Sequence, residues 1–126
     1  RTVEEVMHAG QSIPKVSVSA SMTEALAELT AKGLGIVCLV DEHERLSGII
    51  TDGDVRRAMS SGANVATVKP TDVMTADPRS IPPSATLHEA LTLMERGQRQ
   101  IGVLPVVSDG VCVGIVRVHD IIRANI

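Results

Sequence analysis

A chain of 126 residues, 44% hydrophobic and 21% charged, carries enough apolar material for a packed core, yet it contains no Phe, Tyr or Trp. The core must therefore be aliphatic, and stacking of bases on aromatic rings, the usual platform for single-stranded nucleic acid, is excluded. A net charge of −3 with no basic tract argues against a nucleic-acid partner, and no apolar run approaches the roughly 18 residues that cross a bilayer.

Taken in chain order, the sequence opens with a short leading turn, Val3-Glu-Glu-Val-Met7, and a short strand near Val16 to Val18. Ser21-Met-Thr-Glu24 is a capping box, in which a hydroxyl and a carboxylate three residues apart satisfy the first N–H groups of a helix. Met22, Ala25, Leu26 and Leu29 then recur at helical spacing as one apolar stripe, and Gly33 is a fitting terminator. An apolar strand Ile36 to Val40, a polar turn Asp41 to Arg45 and a returning strand through Ile49-Ile50 read as a hairpin. A second helix starts at about Asp52, and Gly62 to Pro70 has the composition of a linker.

The same order then repeats. Thr71-Asp-Val-Met74 is a second leader, and a strand is expected near Ser80 and Ile81. Thr86-Leu-His-Glu89 is a capping box, Leu87, Ala90, Leu91 and Met94 form the stripe, and Gly97 ends it. A strand from Ile101 to Val107, a turn from Ser108 to Gly110, a strand through Ile115-Val116 and a helix from about Val118 complete the copy. The run Leu46–Ala58 recurs as Cys112–Ala124, 66 residues further on. Two copies of one β-α-β-β-α unit are therefore expected, over residues 1–66 and 67–126. A unit of about 60 residues buries too little surface to be comfortably stable alone, so the two are expected to share an apolar interface. Cys38 and Cys112 sit inside apolar runs, which predicts buried, reduced thiols and a cytoplasmic setting.

The chemistry concentrates where the second strand of each unit meets its second helix. At Thr51-Asp-Gly-Asp54 a helix N-terminus offers unpaired N–H groups to an anion, Gly53 permits close approach, and the Asp54 carboxylate has two oxygens that can accept from the two hydroxyls of a ribose. The same Thr51-x-x-Asp54 spacing also satisfies a capping box with no ligand. Arg57, with Arg56 beside it, is either an exposed helix residue or a fork for an anionic group. The second corner differs. Arg117 stands where Thr51 stood and cannot accept from an N–H; it either grips a phosphate or carboxylate or forms a salt bridge at the strand end. His119 replaces Gly53 and adds a donor, while Asp120 keeps the carboxylate. Two equivalent sites are therefore not expected. His8, His43 and His88 carry no argument for chemistry, and Met7 and Met74 read as core. There is no P-loop, dinucleotide fingerprint, triad context or paired zinc-ligand spacing, so neither catalysis by this chain nor a bound metal or required cofactor is expected.

The leaders, the helix stripes and the Gly-Ile-Ile-Thr-Asp-Gly-Asp and Gly-Ile-Val-Arg-Val-His-Asp corners, as a duplicated set, resemble the CBS domain in its tandem arrangement, the Bateman module. The resemblance implies an α/β (α+β) fold of two repeats packed with pseudo-twofold symmetry, with ligands taken up in clefts between the repeats. It places the nucleotide-contacting Thr/Ser and Asp of such domains at Thr51 and Asp54. A narrower similarity, carried by Thr51-Asp-Gly-Asp-Val-Arg-Arg57 and His119-Asp-Ile-Ile-Arg-Ala124, is to the CBS pair of bacterial arabinose 5-phosphate isomerases, enzymes of the Kdo branch of lipopolysaccharide synthesis. That similarity implies a regulatory region following a sugar-isomerase (SIS) catalytic domain, in a homodimer or homotetramer. It implies a regulatory nucleotide such as CMP-Kdo, AMP or ATP, bound at Thr51, Asp54, Arg57, Arg117, His119 and Asp120. The rival expectation is a dimerisation module that needs no ligand, or a CBS pair from another enzyme or transporter.

Overall fold

The computed structural model describes residues 1–96 and 101–124. It is a mixed α/β protein. Helix α1 (Val3–Val6) and a 3-10 turn (Gly10–Ser12) lead into β1 (Lys15–Ser17), α2 (Met22–Lys32), β2 (Ile36–Val40), β3 (Leu46–Thr51) and α3 (Asp52–Ser60). The second half runs α4 (Pro70–Val73), β4 (Thr75–Ala76), α5 (Leu87–Glu95), β5 (Val103–Ser108), β6 (Val111–Arg117) and α6 (Val118–Ala124). No helix among the described residues is long and apolar enough to cross a membrane.

The chain divides into two compact units, and they do not follow the sequence repeats. One comprises Pro14–Pro78; the other comprises Arg1–Ile13 with Arg79–Ile126. Each unit is thus the body of one repeat closed by the leader of the other. In the first unit the sheet order is β1-β2-β3-β4, with β1 parallel to β2 and the other pairs antiparallel. Its edge strand β4 follows the second leader and pairs Gly48 with Ala76 and Ile49 with Thr75. In the other unit β5 and β6 pair antiparallel. Ile81 bridges β5 in parallel at Val106, and His8 bridges β6 at Ile115. The four positions reproduce the first sheet in the same order, with single-residue bridges in place of the two edge strands.

Local chemistry explains the elements. Ser21 Oγ accepts from the Glu24 N–H while Glu24 accepts from the Ser21 N–H, so the expected box closes the start of α2. Gly33 ends that helix in the left-handed region at φ 66°, its N–H on the Leu29 carbonyl. Thr86 and Glu89 repeat the box at α5; the expected terminator Gly97 lies outside the described residues. The β5–β6 hairpin turns through Asp109 and Gly110 at φ 51° and 79°, two left-handed residues in succession, the conformation that matches strand twist and selects Asp-Gly.

Each unit has its own aliphatic core. Met22, Ala25 and Leu29 of α2 are buried against Val37, Leu39 and Ile50, with Leu26, Val68, Val73 and Met74 at the margin. In the other unit Leu87, Ala90 and Met94 meet Leu104, Val106, Val116 and Ile121, and Val3 of the leader is fully buried among them. Each such Leu or Met contributes about 1.5–3 kcal/mol by leaving water. Met7 and Met74 pack against these cores as expected, and Cys38 and Cys112 are both buried.

Candidate functional site

The corner between β3 and α3 forms where the hairpin delivers a strand end directly onto a helix start. Thr51 Oγ1 accepts from the Asp54 N–H at 3.2 Å, and Asp54 Oδ2 accepts from the Thr51 N–H at 2.9 Å. The remaining carboxylate oxygen, Oδ1, accepts from Arg57 Nη2 at 2.7 Å. Gly53 is where a side chain would interfere: a Cβ there would stand 3.1 Å from Arg57 Nη1, so the missing side chain lets the guanidinium lie over the first turn. The Arg57 side chain is 47% exposed and that of Asp54 only 11%. The carboxylate is fixed, whereas its Arg partner reaches it from solvent. An open groove runs from this corner between α3 and α4, lined by Asp54, Arg57, Ser61, Val68, Asp72 and Val73. A larger groove lies at the opposite, hairpin end of the same sheet, along Lys15 to Ser19 and Val40 to Glu44, and none of the corner residues lines it.

The corner between β6 and α6 is built differently. Asp120 Oδ2 accepts from the Arg117 backbone N–H at 2.9 Å and from Arg117 Nε at 3.2 Å, and Oδ1 accepts from Arg117 Nη2 at 2.9 Å. Arg117 therefore forks its own corner carboxylate. His8, brought onto β6 by the first leader, places Nε2 at 3.0 Å from Oδ1. A carboxylate only accepts, so this nitrogen carries the hydrogen; it does not also accept from Arg117 Nη2, which lies 3.4 Å away. Both Asp120 oxygens are thus engaged by side chains, and the Asp120 side chain is only 9% exposed. His119 is exposed on the first turn of α6, and the donors on Asp120 come from Arg117 and His8 instead.

Of the six candidate residues, the structure brings Thr51, Asp54 and Arg57 together at one corner and Arg117 and Asp120 at the other, and leaves His119 aside. His8 is the participant that sequence reasoning passed over. Its signal was its position directly after Met7, which matches Thr75 after Met74; its use depends on the leader crossing to the other repeat's body.

Burial raises the Asp120 pKa, but hydrogen bonds from Arg117 and His8 outweigh it, and the group sits below the ordinary aspartate value. A carboxylate depressed on folding contributes stability above its unfolded value near 3.9 and loses that contribution as pH falls through the folded value. The advantage of the natural chain over Asp120→Asn in urea unfolding should therefore be full at pH 7 and shrink below about pH 4. An advantage constant from pH 7 to pH 2.5 would mean that the carboxylate charge contributes nothing. Among the described residues no group of three or more His, Cys, Asp or Glu could hold a metal ion.

Comparison with known proteins agrees with this geometry. The CBS domain family model matches twice, over residues 3–61 and 70–126. The arabinose 5-phosphate isomerase KdsD of Pseudomonas aeruginosa is 43% identical over 125 residues, covering 98% of this chain and 38% of the isomerase. The chain thus spans well under half the length of the curated relatives it matches. Among solved structures, the CBS domain pair of protein MJ0100 in complex with 5′-methylthioadenosine and S-adenosyl-L-methionine superposes with a TM-score of 0.86 at 25% identity, covering 99% of this chain and 95% of that one. CBSX2 in complex with AMP gives 0.79 at 26% identity, covering 98% and 95%. The doubled corner, the two capped units and these matches make the chain a member of the CBS domain family: a CBS pair, a regulatory module, similar to part of the arabinose 5-phosphate isomerases.

Proposed function

We propose that this CBS pair is the ligand-sensing region of a cytoplasmic sugar-phosphate isomerase of the arabinose 5-phosphate isomerase type, in the Kdo branch of lipopolysaccharide synthesis. In this reading it is joined to a sugar-isomerase catalytic domain, and its Thr51–Asp54 corner takes a nucleotide or nucleotide sugar. The observation that carries the reading is the Asp54 carboxylate, fixed by the Thr51 N–H on one oxygen and covered on the other, among the described residues, only by the half-exposed Arg57. A ribose hydroxyl donating to Oδ1 would replace the guanidinium, freeing Arg57 to meet a phosphate in forked geometry. The Thr51 hydroxyl keeps a proton to donate while its oxygen caps the helix. The adenosine ligands named for CBSX2 and MJ0100 support a nucleotide; the similarity to arabinose 5-phosphate isomerases is what nominates CMP-Kdo beside them, as the activated product expected of the same branch.

Calorimetric titration of the chain with CMP-Kdo, AMP and ATP tests this. Saturable heat with at least one of them is expected, and no heat and no thermal shift with all three would overturn it. A scaffolding role is favoured by one observation of its own: Val118 and Ile122, one turn apart on α6, are 37% and 56% exposed, an apolar face that a second copy would cover in a homodimer. Sedimentation of Ile122→Glu would then show monomers where the natural chain shows dimers. Regulation requires that the ligand bind one arrangement of the full enzyme more tightly than another.

A further inference from the structure

We propose that the Arg117–Asp120 corner is a closed clasp, which holds the first leader on β6 and occupies the carboxylate that a second ligand would need, so that the chain binds one nucleotide, at Thr51–Asp54. The stoichiometry in this statement rests on the nucleotide reading above; the clasp does not.

Three observations carry it. The first is saturation. At both corners a backbone N–H occupies Oδ2, but among the described residues Asp54 receives a single side-chain donor, from the half-exposed Arg57. Asp120 receives three, from Arg117 Nε, Arg117 Nη2 and His8 Nε2. The second is where those donors come from. Among the described residues Arg57 is held from its own helix alone, so its departure breaks no bond to another described element. Arg117 is anchored by two parallel bonds at the strand end, and forked pairs of this kind are stronger and geometrically stricter than single ones. His8 belongs to a segment already stitched to β6 by reciprocal bonds, His8 N–H to the Ile115 carbonyl at 2.8 Å and Ile115 N–H to the His8 carbonyl at 2.9 Å. The third is fit along the leader. Met7 lies on Gly114 with no room for a Cβ, Val3 is fully buried, and its N–H reaches the Ala85 carbonyl at 2.8 Å. The side-chain clasp is therefore the last of several attachments along one segment. A ribose arriving at Asp120 would have to displace two side chains and loosen that segment, whereas at Asp54 it displaces one half-exposed arm.

The substitution pattern matches. Where Thr51 leaves a hydroxyl, Arg117 supplies a fork, and where Gly53 leaves room for the Arg57 guanidinium, the second copy has a side chain, His119. The second copy has traded a hydroxyl and a single arginine contact for a forked pair made from the strand end.

The experiment has two arms on the intact chain. In the first, CMP-Kdo, AMP and ATP are each titrated calorimetrically into the natural chain and into His8→Gln. One equivalent per chain of whichever is taken up, with the same affinity in both, is expected. Two equivalents in the natural chain, or uptake lost in a folded Asp120→Asn, would overturn the single-site assignment, and no uptake of any of the three would overturn it together with the nucleotide reading. The second arm needs no ligand. Urea midpoints are measured for His8→Ala, Asp120→Asn and the double variant, with hydrogen exchange at residues 3–8. A double-variant midpoint shift smaller than the sum of the single shifts, with leader exchange at least tenfold faster in each single variant, is expected. Additive shifts with unchanged exchange would overturn the clasp even if AMP binds once.

Discussion

Replacing Gly114 by alanine is expected to lower stability by about 1–3 kcal/mol, the range for forcing a methyl group into filled space, and to lower the unfolding midpoint by about 5–15 °C. The cause is a collision on two sides. A Cβ at Gly114 would run into Met7 Sδ and stand 3.0 Å from the His8 carbonyl oxygen. The thioether can swing away, since Met is flexible. The carbonyl cannot, because it is the ladder partner of the Ile115 N–H. The leader must lift, and Val3 and the His8 clasp move with it. Gly48 repeats the arrangement in the other unit, where a Cβ would meet Met74 Sδ at 2.5 Å and the Thr75 carbonyl oxygen at 2.9 Å. Gly48→Ala should therefore cost a similar amount. Gly102→Ala is the control: among the described residues its Cβ would meet only Val118 Cγ1, at 3.7 Å, an ordinary contact, and its stability should change by no more than about 0.5 kcal/mol. Equal midpoints for all three variants would mean that the leaders do not pack on the strands as described.

Replacing Asp54 by alanine is expected to weaken nucleotide binding about 10- to 100-fold while leaving the chain folded. A ribose hydroxyl on Oδ1 is a hydrogen bond to a charged group, about 1.5–3 kcal/mol, and about 1.4 kcal/mol is tenfold in affinity. The fold bears the change because Thr51 Oγ1 still accepts from the N–H of residue 54. What is lost is the reciprocal half of the box and one ion pair with an exposed arginine, together about 1 kcal/mol. Asp54→Asn keeps the shape and loses the charge, so it should fall between. Thr51→Ala should cost a similar amount of stability, about 1 kcal/mol from the missing cap, with a smaller loss of binding. Binding retained in a folded Asp54→Ala would remove the carboxylate from the site.

Much of the fold was legible because its signals are local. The boxes at Ser21/Glu24 and Thr86/Glu89, the stripes from Met22 and Leu87, the Gly33 terminator and the starts of α3 and α6 are each written within a few neighbouring residues. The leaders were visible as corresponding segments, but not their exchange between bodies. Edge pieces of one or two residues, such as β4 or the His8 bridge, are too short to show a period, and nothing local names a distant partner. The first corner was legible for the same reason as the helices, since Thr51 and Asp54 sit three apart. The second was read as an open question about Arg117. Its answer, a fork onto Asp120 completed by His8, depends on a residue more than a hundred positions away.

Regulation through this chain requires that the Thr51–Asp54 corner receive a nucleotide. Backbone amide resonances of the isotopically labelled chain, followed during addition of CMP-Kdo, AMP and ATP in turn, test that most directly. Saturable shifts at Thr51, Gly53, Asp54 and Arg57, with Arg117 to Asp120 unmoved, are the predicted result. Saturable shifts centred on Arg117 to Asp120, or a spectrum unchanged at all of these amides, would contradict it.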